Sequence, residues 1–394
     1  EEDYTLSVFE SVGEVIQHGV AVAPGQPALF AHAGGKPLIG CPGFPVSGVV
    51  IFNEFLRPLL GRLLGIAPPA GPRIRAAVGR KLPSKLGILE HVRVKVGKVK
   101  GRTIALPLPR ASSLTTSMAE ADGVVRIPRN AEGLEQGREV EVELFRDPAD
   151  IERNLLLAGS HDPALDLLAV ELAGAAPGTI LSKAPMGSLD GLLALKRGEA
   201  HLAGCHLLDP ASGAYNFPLV AQHFPDGEMV LVNFVYRRQG LLVPRGNPLG
   251  IEGIADLTRD GLKFVNRQRG AGTRILLDHQ LDRLGIDPDA IQGYDRVVAT
   301  HMAVAAAVAS GAADAGLGVM SAAGALGLDF LPIGWERFDL VVPEAFLGSP
   351  LLAPLLAILK DPAFRKKVLA LGGYQVHLMG ERLEADPGLP PETE

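Results

Sequence analysis

Between about residue 148 and residue 380, short apolar runs alternate with helical patterns, and no other feature constrains the fold of this chain as tightly. Asn154-Leu155-Leu156-Leu157-Ala158-Gly159 reads as a strand, and Asp162-Pro163 as the N-cap and first position of a helix over Ala164–Leu172. A helix over Leu189–Lys196 and strands over Ala200–Cys205, Gly240–Pro244 and Lys263–Asn266 continue the series. An Ala/Val-rich helix at His301–Ala309 and a strand at Gly316–Met320 follow. The class is α/β. The strand Gly240–Pro244 is expected to cross from a first lobe to a second, and Phe338–Pro343 to cross back. The lobes then comprise residues 150–238 with 345–384, and residues 239–344, inside a domain spanning 148–384.

Two shorter regions precede this domain. In residues 1–65, apolar groups from Tyr4 to Ile16 fall at helical intervals, Lys36–Cys41 reads as a short buried strand, and Pro42-Gly43-Phe44-Pro45 is a turn. A helix over Val46–Leu64 follows, with Pro58 predicting a kink or a junction of two helices. Residues 66–147 read as all-β, a small sandwich or barrel. Val92, Val94 and Val96 alternate with Arg93 and Lys95, which predicts a half-buried strand, and Lys100-Gly101-Arg102 predicts a hairpin turn. Val140, Val142 and Leu144 alternate with glutamates in the same way.

Charge and composition remove several function classes. The net charge is -6 and no Lys/Arg run exceeds three residues, which argues against a nucleic-acid partner. No stretch of eighteen uninterrupted apolar residues is present, so no membrane-spanning helix is expected. Cys41 and Cys205 are the two cysteines, no CxxC exists and no signal-type leader opens the sequence; a cytoplasmic setting is expected. Trp335 is expected in a core.

Two constellations can carry chemistry. In Gly40-Cys41-Pro42-Gly43-Phe44-Pro45-Val46-Ser47-Gly48, a strand enters a turn fixed by two prolines and a helix starts. Amides at a helix start, with Ser47 in the first turn, suit an anion, although a merely rigid turn would look the same. The second constellation is a set of helix starts: Gly159-Ser160-His161-Asp162-Pro163, Met186-Gly187-Ser188, and Gly270-Ala271-Gly272-Thr273-Arg274. At the C-terminal ends of strands in an open sheet, Ser160, Ser188 and Thr273 can converge on one oxyanion, with Arg274 beside them. Each residue by itself also fits a simple cap, and Asp162 is expected to be occupied in capping. Gly270-x-Gly272 lacks a third glycine at Ile275, so a dinucleotide fingerprint is set aside. His201, Cys205 and His206 lack the geometry and the further ligand that zinc requires.

The runs His18–Pro27 and Gly34–Ser47 closely resemble the molybdopterin molybdenumtransferase family, and the resemblance covers residues 1–145. It implies insertion of molybdate into adenylylated molybdopterin with Mg²⁺, and a homodimer. Asp3 would be catalytic and near the metal, and Pro42, Gly43, Pro45 and Ser47 would line the molybdopterin site. That family carries Lys where Ala23 and Gln26 stand, and Asn where Phe44 stands. Losing charged hydrogen bonds to a pterin phosphate costs about 1.5–3 kcal/mol each.

Residues 154–375 resemble molybdate-type periplasmic-binding-protein-like domains, on Ser160-His161-Asp162, Gly187-Ser188-Leu189, His206–Asp209, Asn266–Arg274 and Thr300-His301. The resemblance implies a small oxyanion bound by Ser160, His161, Gly187, Ser188, Gly270, Gly272, Thr273, Arg274, Thr300 and His301. Molybdate and tungstate are fully deprotonated dianions at neutral pH and need donors alone, which these residues mostly supply. Two expectations follow: a molybdenum-insertion enzyme with an attached oxyanion receptor, or a non-catalytic oxyanion sensor on a degenerate transferase scaffold.

Overall fold

A computed structural model describes residues 3–108, 110 and 115–391. The chain divides into two compact units, residues 1–154 and 155–394.

In the first unit, the helix expected from Tyr4 onward covers Thr5–Val12 and stops at Gly13. The backbone there is extended, and a Cβ on Gly13 would lie 2.1 Å from the His32 carbonyl oxygen. Val15 and Ile16 therefore belong to a strand, Glu14–His18, paired antiparallel with Leu29–Ala33; helical spacing misread them. Leu29–Ala33 also pairs with Lys36–Gly40, which is exposed or half-buried throughout and not the buried strand expected from its apolar run. Beyond that strand, Pro45 opens a helical run to Leu64 that is divided, as Pro58 predicts, into two α-helices, Pro45–Ile51 and Arg57–Leu64. Pro58 cannot donate to a carbonyl one turn back, and the run adapts by turning π-helical over Phe52–Leu56.

The strands of residues 66–147 close into a barrel. Leu89–Val99 pairs with Arg102–Pro107, then Arg73–Val78, Glu139–Leu144 and Gly123–Ile127 follow, and the last pairs back with Leu89–Val99. The predicted turn at Lys100-Gly101 holds: both residues have positive φ, as a tight hairpin demands. Two expectations need correction. A helix, Thr115–Glu120, interrupts the all-β region. The strand at Val92–Val96 is buried on both faces, with Arg93 and Lys95 inside, because barrel closure buries one face and that helix covers part of the other; Lys95 Nζ donates to the Glu120 carbonyl.

The second unit is built on one mixed sheet. Its order runs Ile180–Pro185, Asn154–Gly159, Leu202–Cys205, Asp329–Pro343, Met229–Val243, Ala315–Val319, Phe264–Arg267, Val297–Val298. Met229–Val243 and Asp329–Pro343, each 15 residues, lie side by side antiparallel and serve both lobes. They are the two predicted crossings, longer than expected at their N-terminal ends. The strands that pair on either side of them within a lobe run parallel, and helices cover both faces. Leu165, Leu168 and Leu172 of the helix Pro163–Ala175 pack with Leu355, Ile358 and Phe364 of the last two helices over the first lobe. A second core, with Leu241, Phe264, Leu277 and Leu317, fills the other lobe. Trp335 is only half-buried. It sits mid-way along a crossing strand with the Arg238 guanidinium over its ring, so it is not a core residue.

Glycines let the first lobe pack its helix starts close to the sheet. A Cβ on Gly191 would lie 2.6 Å from Gly159 Cα and 2.9 Å from its nitrogen, and backbone cannot yield. Gly191→Ala is therefore expected to cost about 1–3 kcal/mol, read from the urea midpoint. An unchanged midpoint would mean that the helix Ser188–Lys196 is free to shift.

Candidate functional site

Five strand C-termini in the second unit deliver turns toward one place, the crossing strands' midpoint. After Asn154–Gly159 the chain turns through Ser160 and Asp162, and Asp162 caps the next helix by accepting from the Ala164 amide at 2.8 Å, as expected. Gly159 has φ near 110°, and its carbonyl accepts from both the Met186 and Gly187 amides, at 2.9 and 3.2 Å. These bonds bring the second turn against the first. As a result Ser160 Oγ and Ser188 Oγ lie 2.8 Å apart, both buried, and the His206 amide donates to Ser188 Oγ at 3.1 Å.

The other lobe approaches through the helix Gly272–Leu284. A Cβ on Gly272 would lie 2.2 Å from His206 Nδ1, so only glycine lets this helix start abut the first lobe. Gly187 faces the Gly270 carbonyl, 3.8 Å from where its Cβ would be. Thr273 is buried next to this contact, and its Oγ1 has no hydrogen-bond partner. Ser160, Ser188 and Thr273 thus surround one junction of the two lobes.

Charged groups from the crossing strands form the floor. Arg237 and Glu336 are register partners, both fully buried. Arg237 Nη1 donates to Asp162 Oδ2 at 2.7 Å, and its Nε and Nη2 both donate to Glu336 Oε1. Gln239 Nε2 donates to Glu336 Oε2 at 2.6 Å, and His206 Nδ1 approaches Oε1 at 2.5 Å. Tyr374 donates to Asp162 Oδ1 at 3.0 Å. Burial alone would raise the Glu336 carboxyl, but Arg237 and His206 hold it down at about 2. Both carboxylates are therefore engaged by protein donors.

Unspent donors remain. Arg267 is half-buried overall; its Nη2 donates to the Ala299 carbonyl at 2.9 Å, while its Nε and Nη1 are buried without partners. Burial and then the nearby Arg237 charge bring the Arg267 guanidinium down to about 10, still cationic at neutral pH. His301 opens the helix His301–Ala309 and is buried, with Nδ1 unpartnered. Burial, followed by Arg267 and Arg237, pushes its imidazole well below the ordinary histidine value. Burial likewise lowers His206, against the opposing pull of Glu336.

Three of the expected ligand residues have other employment. Arg274 pairs with Asp278 at 2.9 Å and stacks on the Tyr294 ring, which turns its charge aside. The Thr300 hydroxyl caps its helix by accepting from the Ala303 amide at 3.1 Å. His161 Nε2 lies 3.1 Å from Asp166 at a partly exposed position. Conversely, sequence reasoning assigned no role at the site to His206, Arg237, Arg267 or Glu336. The available signal was charge within an apolar strand: Arg237 stands inside a 15-residue strand that is mostly buried, and Glu336 opens the buried half of another.

In the first unit, Asp3 is exposed and its Oδ1 accepts from the Thr5 amide at 2.9 Å; the Thr5 side chain first, and then that amide, lower its carboxyl below the usual range. Pro45 is the first helical residue, Ser47 is buried in that first turn, Pro42 is half-buried and Gly43 exposed. A separate cavity of about 370 Å³ is lined by Ala23, Gln26, Ser84, Lys85, Glu90 and Arg110, with Arg110 paired to Glu90 at 2.8 Å. Among the described residues, no group of three or more His, Cys, Asp or Glu is placed to hold a metal ion. No helix among them is long and apolar enough to cross a membrane.

Two lobes on shared crossing strands, with helix starts meeting between them, define a type II periplasmic-binding-protein-like domain. Residues 169–360 match the PBP superfamily domain, and residues 75–145 match the MoeA C-terminal region (domain IV). The uncharacterized protein YvgK of Bacillus subtilis is 36% identical over 228 residues, which is 58% of this chain and 73% of that protein. The chain therefore belongs to the same family as YvgK, with a MoeA C-terminal region ahead of its PBP-like domain. The molybdopterin molybdenumtransferase of Bacillus subtilis is 30% identical over 148 residues, covering 37% of this chain and 34% of that enzyme. A molybdopterin biosynthesis MoeA protein from Pyrococcus horikosii has a solved structure with 38% identity and a TM-score of 0.31, covering 36% of this chain and 35% of its own. The chain spans about a third of the length of these molybdopterin relatives.

Proposed function

We propose that the second unit captures molybdate or a similar doubly negative oxyanion between its lobes, and that the protein serves molybdenum cofactor biosynthesis. The observation that carries this reading is the set of buried, unpartnered polar atoms at the junction, Thr273 Oγ1 and Arg267 Nε and Nη1, beside the Ser160–Ser188 pair. Burying such groups unsatisfied is costly, and a dry tetrahedral dianion would satisfy them. The acceptors nearby, Asp162 and Glu336, are already taken by Arg237, Tyr374 and Gln239, which favours a ligand without a proton of its own. The likeness of the first unit to molybdenumtransferases supports the choice of oxyanion. In this reading the receptor raises the local concentration of molybdate for insertion into adenylylated molybdopterin, held by Pro42, Gly43, Pro45 and Ser47.

The protein would act in the cytoplasm as a homodimer. Asp3 by itself does not make a Mg²⁺ site, since among the described residues no group of three or more His, Cys, Asp or Glu is placed to hold a metal ion. A second reading, a non-catalytic oxyanion sensor, is favoured by the neutral Ala23 and Gln26 in the wall of the 370 Å³ cavity. Release of AMP from adenylylated molybdopterin, assayed with molybdate and Mg²⁺, separates the two readings.

Calorimetric titration of the whole chain with molybdate, tungstate, sulfate and phosphate tests the receptor directly. Binding of none of them below millimolar would leave the helix starts as caps and nothing more. Ser188→Ala and Thr273→Ala should each weaken the preferred anion by about 1 kcal/mol or more. Unchanged affinity in both variants would put the site elsewhere.

A further inference from the structure

Formal charge at the lobe junction does not add up for a dianion. Arg237 and Arg267 contribute two positive charges, and Asp162 and Glu336 two negative ones, so the fixed groups sum to zero. Arg237 is enclosed by both carboxylates, which leaves Arg267 as the cation with unsatisfied hydrogen-bonding capacity. A buried doubly negative guest would leave the closed junction two charges in deficit, and low polarity makes such a deficit expensive. Neutralisation by proton uptake is the usual escape.

His301 is the group placed to provide it. Its ring is buried at the start of its helix, and Nδ1 has no partner. The charged and titratable groups around it are Arg267 from Phe264–Arg267, Arg237 from Met229–Val243, and His206 and His161 from the other lobe. The neighbouring segments Ala315–Val319 and Met320–Ala325 bring no ionisable side chain. Among the described residues, none of these groups around the ring is a carboxylate. His206 differs, because Glu336 already sits 2.5 Å from its Nδ1.

We propose that the junction binds its anion together with a proton, taken from solvent onto the His301 imidazole, so that a dianion and H⁺ are joint ligands. This rests on the oxyanion reading given above. Without anion, burial and the two arginines keep the ring neutral; a dianion beside Arg267 reverses the field and makes the imidazolium the favoured form. The sign follows. The bound state holds more protons than the free state, so affinity falls as pH rises between the free and bound values of His301. The free value lies well below 6.5, so Kd should rise on going from about pH 6 to about pH 7, approaching tenfold per pH unit inside that window.

The test is calorimetric titration of the whole chain with sodium molybdate at about pH 7, in two non-coordinating buffers of different ionisation enthalpy. Roughly half to one proton taken up per anion is expected. His301→Asn keeps an amide N–H near the Nδ1 position but cannot titrate, so it should bind molybdate with no uptake and a flat pH profile. Wild-type binding without proton uptake overturns the proposal while leaving the oxyanion reading intact. Full uptake surviving in His301→Asn overturns the assignment to this ring. Failure of the wild type to bind molybdate, tungstate or sulfate overturns the oxyanion reading and this inference with it.

Discussion

Replacing Arg237 with methionine should lower the unfolding free energy by about 3–5 kcal/mol, the usual penalty for stripping the partner from buried charges. Asp162 and Glu336 would both be left without their shared cation inside a closed junction. Asp162 would keep the Ala164 amide and the Tyr374 hydroxyl, and Glu336 would keep Gln239 and His206. Those bonds mitigate the loss without supplying charge. Urea denaturation followed by circular dichroism measures the effect. A double variant, Arg237→Met with Glu336→Gln, should recover part of it, since one orphaned charge is then gone. A single variant within about 0.5 kcal/mol of wild type would show that the network carries no net weight.

Arg267→Met should weaken oxyanion binding by roughly ten- to a hundredfold. A hydrogen bond from a charged donor to a charged ligand is worth about 1.5–3 kcal/mol, and each 1.4 kcal/mol is a factor of ten. Among the described residues of the junction, Arg267 keeps donors that are not already consumed, Nε and Nη1. Its Nη2 bond to the Ala299 carbonyl is the local structural cost, so a melting temperature should accompany the binding isotherm. An affinity equal to wild type in a folded variant would exclude Arg267 from the ligand's surroundings.

Local chemistry made half of this site legible. A Ser or Thr beside glycine at the end of an apolar strand announces a helix start, and the structure brings Ser160, Ser188 and Gly272-Thr273 together where such starts meet. The floor was not legible, because its partners are far apart in sequence: Arg237 and Glu336 are separated by 99 positions, Arg237 and Asp162 by 75. Each reads alone as a charge out of place in a strand. Only the register of the crossing strands makes them partners. Arg274 was misjudged for the opposite reason. An arginine after a glycine turn looks available to an anion, but Asp278 one helical turn on and the Tyr294 ring both claim it. In the first unit, periodicity failed at Val15 and Ile16 because five residues are too few to separate helical from extended spacing, and the deciding contact, with Leu29–Ala33, is remote.

The crossing strands have a consequence for how this unit can be taken apart. Val243 and Asp329 are cross-strand neighbours, so the chain leaves for the distal lobe and returns from it across a single inter-strand spacing, about 5 Å. Residues 244–328 leave and return through that doorway, and Ala315–Val319 among them continues the sheet along Gln239–Leu242. Joining 243 to 329 with a two-residue turn would leave an ordinary hairpin, in a receptor with one jaw.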